Sequence, residues 1–325
     1  MKIYGFQKLT LLDYPEHLAA LVFTGGCNFR CPWCHNGDLI HPSSDMPCLD
    51  EREILSQLER RASMLEGVVI SGGEPTLQPD LRDFITSCRN MGYKIKLDTN
   101  GSRPEILIPL LEDGLVDYVA MDIKADKKTY GTAAGLENLD IDSIEKSIRF
   151  LIKRALPTCF ADRSSKSETA TARNYDHMAA INNVDDDGHS AADVNAHDGI
   201  RSAADVNAHD GGHAAADVNA HDGGHAATND NAHYDDHTTT SVNAHNSSLA
   251  FHYEFRTTVM PQYHNAVSIT AIAEWIRGAE KYFLQAYRDS EAVPEHGFTE
   301  PDSAFMQEML AAAQAIIPQS EIRGL

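Results

Sequence analysis

Residues 18–36 have the sequence LAALVFTGGCNFRCPWCHN. The segment joins an apolar run of strand length, 18–24, to a loop that holds three cysteines in a C-x3-C-x2-C pattern, Cys27, Cys31 and Cys34. A structural zinc site is closed by four ligands, and a ferredoxin-type cluster is held by four cysteines. Three cysteines without a fourth nearby therefore favour a four-iron cluster in which one iron stays open to another ligand.

Short β-type runs alternate with amphipathic segments of helical length along the rest of the chain. This alternation predicts a parallel sheet with right-handed crossovers. The predicted strands are 18–24, 68–71, 94–98, 118–123, 253–259 and 282–286, and the predicted helices are 50–65, 79–91, 104–112, 141–154, 268–278 and 302–317.

Clusters of polar or metal-binding residues follow four of these strands, at 25–34, 71–75, 98–101 and 122–124. Barrels and open α/β sheets both place their sites at the carboxyl ends of the strands. Because four loops would converge on one mouth, the pattern favours an α/β fold with a partial (β/α)6 TIM-like barrel over an open doubly wound sheet.

Residues 161–248 have a different composition, with 15 Asp or Glu, four Lys or Arg, and ten of the 16 histidines. They offer too little apolar surface to offset their ordering entropy. We therefore predict a disordered insert between the fourth helix and the fifth strand of a discontinuous domain, 1–160 and 249–325. The insert should leave the N-terminal side of the barrel, opposite the cysteines.

Twelve-residue repeats occur within the insert, at 190–201, 202–213, 214–225 and 226–237. Each repeat has at most one Val and several Ala, which is too little for a stacked core. We interpret the repeats as an expanded flexible loop, with weak divalent-metal binding by His and Asp as the alternative.

The chain as a whole has 325 residues and a net charge of −21. Its acidity argues against nucleic acid as a partner, because phosphate binding needs a basic face. No run of 18 apolar residues predicts a membrane span, and residues 1–8 do not resemble a signal peptide. Six cysteines, three of them clustered, indicate a reduced, cytoplasmic metal protein. Cys48, Cys88 and Cys159 are interpreted as ordinary thiols, with Cys48 as a fourth ligand left open.

The stretch Ser71-Gly72-Gly73-Glu74-Pro75 follows the second predicted strand. Two glycines after a buried strand let the backbone approach a ligand closely. Glu74 would then present a carboxylate at the mouth of the barrel. A turn with an exposed acid is the alternative interpretation.

Charged and polar residues follow the third and fourth strands. Asp98 and Thr99 end the third strand, where a helix-capping turn would also explain them. Asp122 and Lys124 lie on the same side of the chain by strand alternation, and a surface ion pair is the alternative for them.

Three further residues are candidates from their positions alone. Arg256 lies within the fifth strand, and His264 lies just beyond its end, where a solvated loop histidine is the simpler interpretation. Trp33 lies between two of the clustered cysteines. It can provide an apolar wall for a flat heterocycle or can simply pack against the barrel.

The cysteine pattern with Trp33, followed by Gly72-Gly73-Glu74, resembles that of the radical S-adenosylmethionine enzymes. More closely, the sequence is similar to the activating enzymes of glycyl-radical enzymes, in particular the anaerobic ribonucleoside-triphosphate reductase activating proteins. The supporting segments are 11–15, 23–31, 34–36, 97–101, 121–125 and 255–259. The resemblance covers residues 1–155 and 253–290.

This resemblance implies that the three thiolates hold a [4Fe–4S] cluster and that S-adenosyl-L-methionine (SAM) chelates the fourth iron. Cleavage of SAM by an electron from the cluster would give a 5′-deoxyadenosyl radical, which removes a hydrogen atom from a glycine of a partner enzyme. The resemblance implies that this glycyl-radical enzyme is anaerobic ribonucleotide reductase, and that the electron comes from an external flavodoxin- or ferredoxin-type donor. The residues implied to contact SAM are Trp33, Cys34, His35, Gly72, Gly73, Glu74, Asp98, Asp122, Lys124, Arg256 and His264.

Within the implied SAM site, Glu74 is expected to face the ammonium group, and Asp122 and Lys124 the ribose and carboxylate. Related activating enzymes can use a monovalent cation near the cofactor carboxylate, which Asp98, Thr99 and Asp122 could hold here. Glu16 departs from the family's pattern, which often has glycine there, and Gly25 replaces a common polar residue.

Two other functions fit the cysteines. One is a radical enzyme acting on a small molecule, similar to 7-carboxy-7-deazaguanine synthase. The other is a non-catalytic iron–sulfur or zinc-binding module. Glu74 and the converging loops favour an enzyme over the module, because a module of that kind needs no cofactor cradle.

Overall fold

The computed structural model of the chain describes residues 1–155 and 251–323. The predicted insert and its repeats, together with Cys159, lie outside the described residues. Eight strands form one sheet: β1 Ile3–Thr10, β2 Ala19–Thr24, β3 Gly67–Gly72, β4 Lys94–Thr99, β5 Tyr118–Asp122, β6 His252–Val259, β7 Tyr282–Ala286 and β8 Ser320–Arg323. The helices are α1 Gly37–Ile40, α2 Glu51–Arg61, α3 Leu81–Asn90, α4 Pro104–Glu112, α5 Tyr130–Ala133, α6 Ile141–Ala155, α7 Ala266–Trp275 and α8 Ser303–Gln314, with a 3-10 turn at Pro75–Leu77.

The strands follow one another in the sheet in chain order, from β1 to β8. β1 runs antiparallel to β2, and every later neighbour pair is parallel. The six predicted strands correspond to β2–β7, so the parallel α/β arrangement is confirmed. The predicted number of strands is wrong, because β1 and β8 extend the sheet at its two edges.

The six predicted helices correspond to α2, α3, α4, α6, α7 and α8. Their apolar side chains cover one face of the sheet and form one large core. In α3, Leu81, Phe84, Ile85 and Cys88 are buried at the spacing that places side chains on one helix face. Each such side chain stabilises the fold by about 1.5–3 kcal/mol on burial.

The opposite face of the sheet carries polar and charged side chains. Lys96 and Asp98 on β4 and Glu254 and Arg256 on β6 alternate with the core residues of the same strands. The register pairs Asp122 of β5 directly with Arg256 of β6. Strand alternation therefore places the site-forming residues on the face that the helices leave free.

The amino ends of the parallel strands lie at the edge of the sheet opposite the cysteine loop. The β1–β2 connection crosses this edge, and Tyr14 within it is buried against Tyr118 with ring centroids 6.0 Å apart. Ala155 at the end of α6 and Phe251 just before β6 flank the undescribed residues. The chain re-enters the sheet at this same edge, since Phe251 precedes the amino end of β6.

Membrane-spanning helices were also sought. Among the described residues, every helix is too short or too polar to cross a bilayer.

Candidate active site

The cysteine loop follows β2 and is held by backbone hydrogen bonds on both sides. The Gly26 N–H donates to the carbonyl of Leu39 at 2.8 Å, and the Cys27 N–H donates to that of Ile40 at 3.2 Å. The Gly26 carbonyl accepts from the Glu74 N–H at 2.8 Å. Gly26 has φ +95°, a conformation that favours glycine. The loop is therefore fixed between α1 and the turn after β3.

A segment after β7, residues 287–298, supports the outer side of this loop. The Glu295 N–H donates to the Pro32 carbonyl at 3.0 Å. The His35 ring stacks on Tyr287, and its Nε2 lies 2.8 Å from the carbonyl oxygen of Arg288. The sequence patterns did not identify this segment, because it carries no regular alternation of apolar residues.

A cavity of about 360 Å³ lies between the cysteine loop and the polar face of the sheet. Its size is within the range of small-molecule sites. The lining residues are Asp13, Leu21, Phe23, Cys31, Trp33, Cys34, His35, Asn36, Ser71, Gly72, Gly73, Asp98, Thr99, Asp122, Lys124, Arg256, Thr258 and Gln285. Most of the predicted site residues are therefore brought together around one space.

The cavity beside the cysteine loop does not have the largest volume on the protein surface. A larger depression of about 620 Å³ lies on the outer surface, beside Asp126, Lys128 and the start of α7. It contains no cysteine, so we consider the 360 Å³ cavity the candidate site.

The two glycines after β3 serve the packing of the protein itself. A Cβ atom on Gly72, which has φ +117°, would lie 2.3 Å from the Thr24 carbonyl oxygen. A Cβ on Gly73 would lie 2.2 Å from the Gly26 carbonyl oxygen. Both glycines line the cavity, but the close approach that they permit is to β2 and the cysteine loop.

Glu74 does not present its carboxylate at the mouth, and this expectation is corrected. Its side chain is fully buried, at 0% exposure, and does not line the cavity. It accepts hydrogen bonds from the Thr76 N–H at 3.1 Å, the Thr99 hydroxyl at 2.7 Å and the Asn100 N–H at 2.7 Å, and from the Thr76 hydroxyl. Burial raises the pKa of Glu74, and these donors oppose the rise. The carboxylate therefore joins the turns after β3 and β4.

Four charged side chains, Asp98, Asp122, Lys124 and Arg256, form the floor of the cavity, and a fifth, Lys96, pairs with Asp98 without lining the cavity. Arg256 donates from Nε to Asp122 at 2.9 Å and lies 3.4 Å through Nη1 from Asp98. Lys124 donates to Asp122 at 2.9 Å, and Lys96 contacts Asp98. Burial alone would raise the pKa of Asp122, but Arg256 and Lys124 hold it down at about 2. These three cations face two carboxylates, and a third carboxylate, Asp13, lines the same cavity.

The expected monovalent cation at Asp98, Thr99 and Asp122 is not supported by this arrangement. The guanidinium of Arg256 lies between the two carboxylates, and the Thr99 hydroxyl donates to Glu74. Within 1–155 and 251–323, no third His, Cys, Asp or Glu side chain joins Asp98 and Asp122 to complete a site for a single ion. Positive charge at this position comes from the protein's own side chains.

His264 is neither a solvated loop residue nor a residue of the cavity wall. It is 1% exposed, its Nδ1 accepts from the Met260 N–H at 3.2 Å, and its Nε2 lies 3.1 Å from the Lys124 carbonyl oxygen. Burial lowers its pKa to about 4, so the ring is neutral and Nε2 is the donor to that carbonyl. His264 was predicted to contact SAM, but it does not line the cavity. It supports the loop that carries Lys124.

Trp33 was interpreted either as an apolar wall of the site or as a residue that packs against the barrel, and its position fits both interpretations. It is buried and lines the cavity, and its ring centroid is 4.2 Å from that of Tyr263 and 6.3 Å from that of Phe298. One aromatic side chain thus belongs both to the cavity wall and to a small apolar cluster.

Several residues of the site carry no motif of their own. Ser71 donates to Asp98 at 3.1 Å, and Asn36 donates from its side chain to the Gly72 carbonyl at 3.1 Å. Asp13 reaches the cavity from the β1–β2 connection. Strand alternation could have found Ser71 and Thr258, since each shares a strand face with another cavity residue.

The three cysteines suit an iron–sulfur cluster. Cys31 and Cys34 line the cavity, and the Cys27 sulfur accepts from the Phe29 N–H at 3.4 Å. Burial raises the pKa of Cys27 to about 12 and that of Cys31 to about 11. Buried thiolates therefore need a nearby positive charge, which iron supplies. Cys48 is exposed and Cys88 lies in the helical core, and neither lines the cavity.

Comparison with known families agrees with this geometry. Residues 21–162 match the model of the radical SAM superfamily, so this part of the chain is a radical SAM domain. The cofactors of radical SAM enzymes are a [4Fe–4S] cluster and SAM, which agree with the predicted cofactors, and the predicted superfamily resemblance is confirmed over these residues.

Three curated relatives carry more specific names. Over 123 residues, 38% of this chain and 50% of the relative, the chain is 37% identical to "Putative glycyl-radical enzyme activating enzyme MJ1227" of Methanocaldococcus jannaschii. Over 153 residues, 45% of this chain and 63% of the relative, it is 30% identical to the pyruvate formate-lyase-activating enzyme of Clostridium pasteurianum. Over 128 residues, 39% of this chain and 52% of the relative, it is 33% identical to the 7-carboxy-7-deazaguanine synthase of Koribacter versatilis. The matched part of the chain covers between 50% and 63% of the length of these three relatives.

A solved structure shares the fold. The crystal structure of Streptococcus suis SuiB bound to S-adenosylmethionine aligns with a TM-score of 0.51 and 9% identity, covering 92% of this chain and 48% of that chain. At this identity the likeness concerns the fold alone.

Proposed function

We propose that this protein is a glycyl-radical-enzyme activating enzyme, whose partner is anaerobic ribonucleoside-triphosphate reductase. The observation that carries the proposal is the single cavity that joins two cysteines of the C-x3-C-x2-C loop to the charged floor of β4–β6. Two named relatives, MJ1227 and the clostridial enzyme, support the activating-enzyme class. The choice of the reductase rests on the sequence strings 97–101, 121–125 and 255–259.

In this proposal, Cys27, Cys31 and Cys34 hold the [4Fe–4S] cluster. When bound, the reduced cluster supplies the electron that cleaves SAM to methionine and a hydrogen-abstracting 5′-deoxyadenosyl radical, after reduction by an external flavodoxin- or ferredoxin-type protein. The buried position of Cys31 and Trp33 limits the access of water to this reaction.

The charged floor binds the amino-acid end of SAM. That end carries one ammonium and one carboxylate, which match the Asp98 and Asp122 carboxylates and the Lys124 and Arg256 cations. The ammonium and the carboxylate of SAM would each pair with a side chain that already forms an ion pair in the floor. The cost of removing each SAM charge from water is offset because its partner is already in position.

In this proposal, Trp33 and His35 contact the adenosine end of SAM. Trp33 offers an apolar wall, and His35 is fixed in orientation by Tyr287 and the Arg288 carbonyl. Gly72 and Gly73 lie between these residues and the floor, where the cofactor's middle portion would pass their backbone. A partial barrel around the cavity, open between β1 and β8, would admit a polypeptide loop of the partner.

A radical enzyme acting on a small molecule is the second candidate. The 33% identity to a 7-carboxy-7-deazaguanine synthase favours it, because the matched length is similar to that of the activating enzymes. The two candidates share the cluster and SAM, and they differ in the group that loses a hydrogen atom.

Anaerobic reconstitution with iron and sulfide, followed by dithionite reduction, tests the shared chemistry. We expect 5′-deoxyadenosine from SAM with the native chain and with Cys48→Ala, and no four-iron absorbance with Cys31→Ala. Cys48 is a matched control because it is exposed and does not line the cavity. No 5′-deoxyadenosine from a fully loaded native protein would exclude both candidates.

Electron paramagnetic resonance then separates the candidates. Incubation with SAM, a reductant and the anaerobic reductase should give the doublet of a glycyl radical on the reductase. A doublet on pyruvate formate-lyase alone would reassign the partner. Conversion of a deazaguanine precursor without any doublet would favour the small-molecule enzyme.

A further inference from the structure

A side-chain amide approaches one of the three cysteine sulfurs from the turn after β4. Asn100 is buried, and its Nδ2 lies 4.0 Å from the Cys27 Sγ. Among the three cysteines of the loop, within the described residues, Cys27 alone has a side-chain N–H donor at its sulfur. Asn100 lies within the string 97–101, but it has no predicted role of its own in the site.

The position of the Asn100 amide is fixed by bonds to all of its other groups. Nδ2 donates to the Asn28 Oδ1 at 2.9 Å, and Oδ1 accepts from the Ser102 N–H at 3.0 Å. The backbone N–H of Asn100 donates to the Glu74 carboxylate at 2.7 Å. With one amide hydrogen directed to Asn28, the second is left for the sulfur.

Asn28 is held in turn by Ser102, since its Nδ2 donates to the Ser102 hydroxyl at 2.7 Å. The asparagine pair therefore joins the first cysteine to the turn after β4 through a closed set of hydrogen bonds. Such a closed set fixes the direction of the free N–H, because any rotation of the amide would break at least one bond.

We propose that Asn100 is a positioning residue that donates a hydrogen bond to the Cys27 thiolate and thereby raises the reduction potential of the cluster. This inference rests on the proposed cluster site. Reduction adds one negative charge, which is shared between the cluster and its cysteine sulfurs. A fixed N–H dipole directed at a sulfur stabilises that charge, and hydrogen bonds to cysteine sulfurs are among the terms that set cluster potentials.

The test is a redox titration of reconstituted native protein and variants, followed by the electron paramagnetic resonance of the reduced cluster. Asn100→Ala should lower the ratio of reduced to oxidised cluster about tenfold at a fixed potential, which is about 59 mV for a one-electron couple. Asn100→Asp keeps the shape but replaces the donor by a carboxylate, and it should lower the ratio further.

Ser102→Ala is the matched control. It removes a hydrogen bond from the same network, between Ser102 and Asn28, without removing the donor at the sulfur. Both bonds of the Asn100 amide itself, to Asn28 Oδ1 and from the Ser102 backbone N–H, remain in this variant and keep the amide in place. We therefore expect its cluster potential to equal that of the native protein.

Each other outcome has a defined meaning. Equal potentials in the native protein and both Asn100 variants would overturn the inference, as would an equal shift in Ser102→Ala. Loss of the cluster from both Asn100 variants would also overturn it and leave Asn100 with a folding role. Failure of the native protein to assemble a four-iron cluster would instead refute the proposed function, before any variant is compared.

Discussion

Replacing Glu74 by alanine should destabilise the whole fold. Its carboxylate accepts four hydrogen bonds in a fully buried position, from Thr76, Thr99 and Asn100. Truncation leaves two backbone N–H groups, those of Thr76 and Asn100, without a partner. An unsatisfied buried donor costs about 1–3 kcal/mol, so two of them cost about 2–6 kcal/mol.

We therefore expect Glu74→Ala to lower the free energy of unfolding by about 2–6 kcal/mol. Glu74→Gln keeps one acceptor oxygen and should lose about 2 kcal/mol, because its amide N–H₂ must face a donor. Asn100 would lose its backbone anchor in Glu74→Ala, so iron content after reconstitution should fall as well.

Urea unfolding of the apoprotein under anaerobic conditions, followed by circular dichroism, measures these losses. Glu105→Ala is the control, since Glu105 is an exposed acid of α4 with a surface ion pair to Arg103, and such a pair is worth at most about 1 kcal/mol. A loss below about 1 kcal/mol in Glu74→Ala, with native iron content, would refute this account of the carboxylate.

Gly73→Ala should destabilise the protein by about 1–3 kcal/mol and lower its iron content, because the new Cβ would lie 2.2 Å from the Gly26 carbonyl oxygen; native urea unfolding and iron content would contradict this. The native protein should lose about 3 kcal/mol of stability as the pH falls from 6.5 to 4, because burial lowers the pKa of His264 to about 4 and the folded state then binds fewer protons than the unfolded state. His264→Gln should lack that part of the pH dependence in denaturation series, and an unchanged slope would count against the neutral buried ring. Deleting residues 165–246 should leave SAM cleavage per cluster intact, because Phe251 precedes the sheet edge opposite the cysteines; a folded but inactive deletion would show that the segment acts on the site.

The parallel core of the fold follows from the sequence because β2–β7 are runs of strand length, apolar or alternating, that are separated along the chain by segments of helical length. β1 mixes Gly5, Gln7 and Lys8 into its length and is held by pairing with β2, which a local pattern does not show. β8 has four residues, Ser320–Arg323, too few for a periodic signal. The two edge strands, β1 and β8, therefore form because they pair with β2 and β7, and a local sequence pattern does not show this pairing.

For the candidate site, the sequence predicts which residues are near one another but not the direction in which each side chain points. Asp98, Asp122 and Arg256 follow from their positions along strands and Cys31 follows from the cysteine motif, and all four line the cavity. Glu74 comes directly after the two glycines, and only the three-dimensional turn shows that its carboxylate bonds to Asn100 instead of facing the cavity. Likewise, the burial of His264 depends on contacts with Lys124, 140 residues away in sequence.

Glu16 illustrates the same limit in the backbone. Among the described residues, it is the only non-glycine with positive φ, at 65°. The glycine that the sequence resemblance leads us to expect at this position would avoid the cost of about 1–2 kcal/mol that a left-handed residue with a Cβ carries.

The contacts of the segment after β7 with the cysteine loop have a consequence for biosynthesis. Cys27, Cys31 and Cys34 emerge from the ribosome early, whereas the Tyr287 ring and the Glu295 N–H that hold their loop emerge more than 250 residues later. A nascent chain therefore carries three thiols long before it can fix them in place. Under the proposed function, we expect the cluster to be held stably only after the segment 287–298 has been synthesised, and the thiols of the growing chain to need a reducing environment until then.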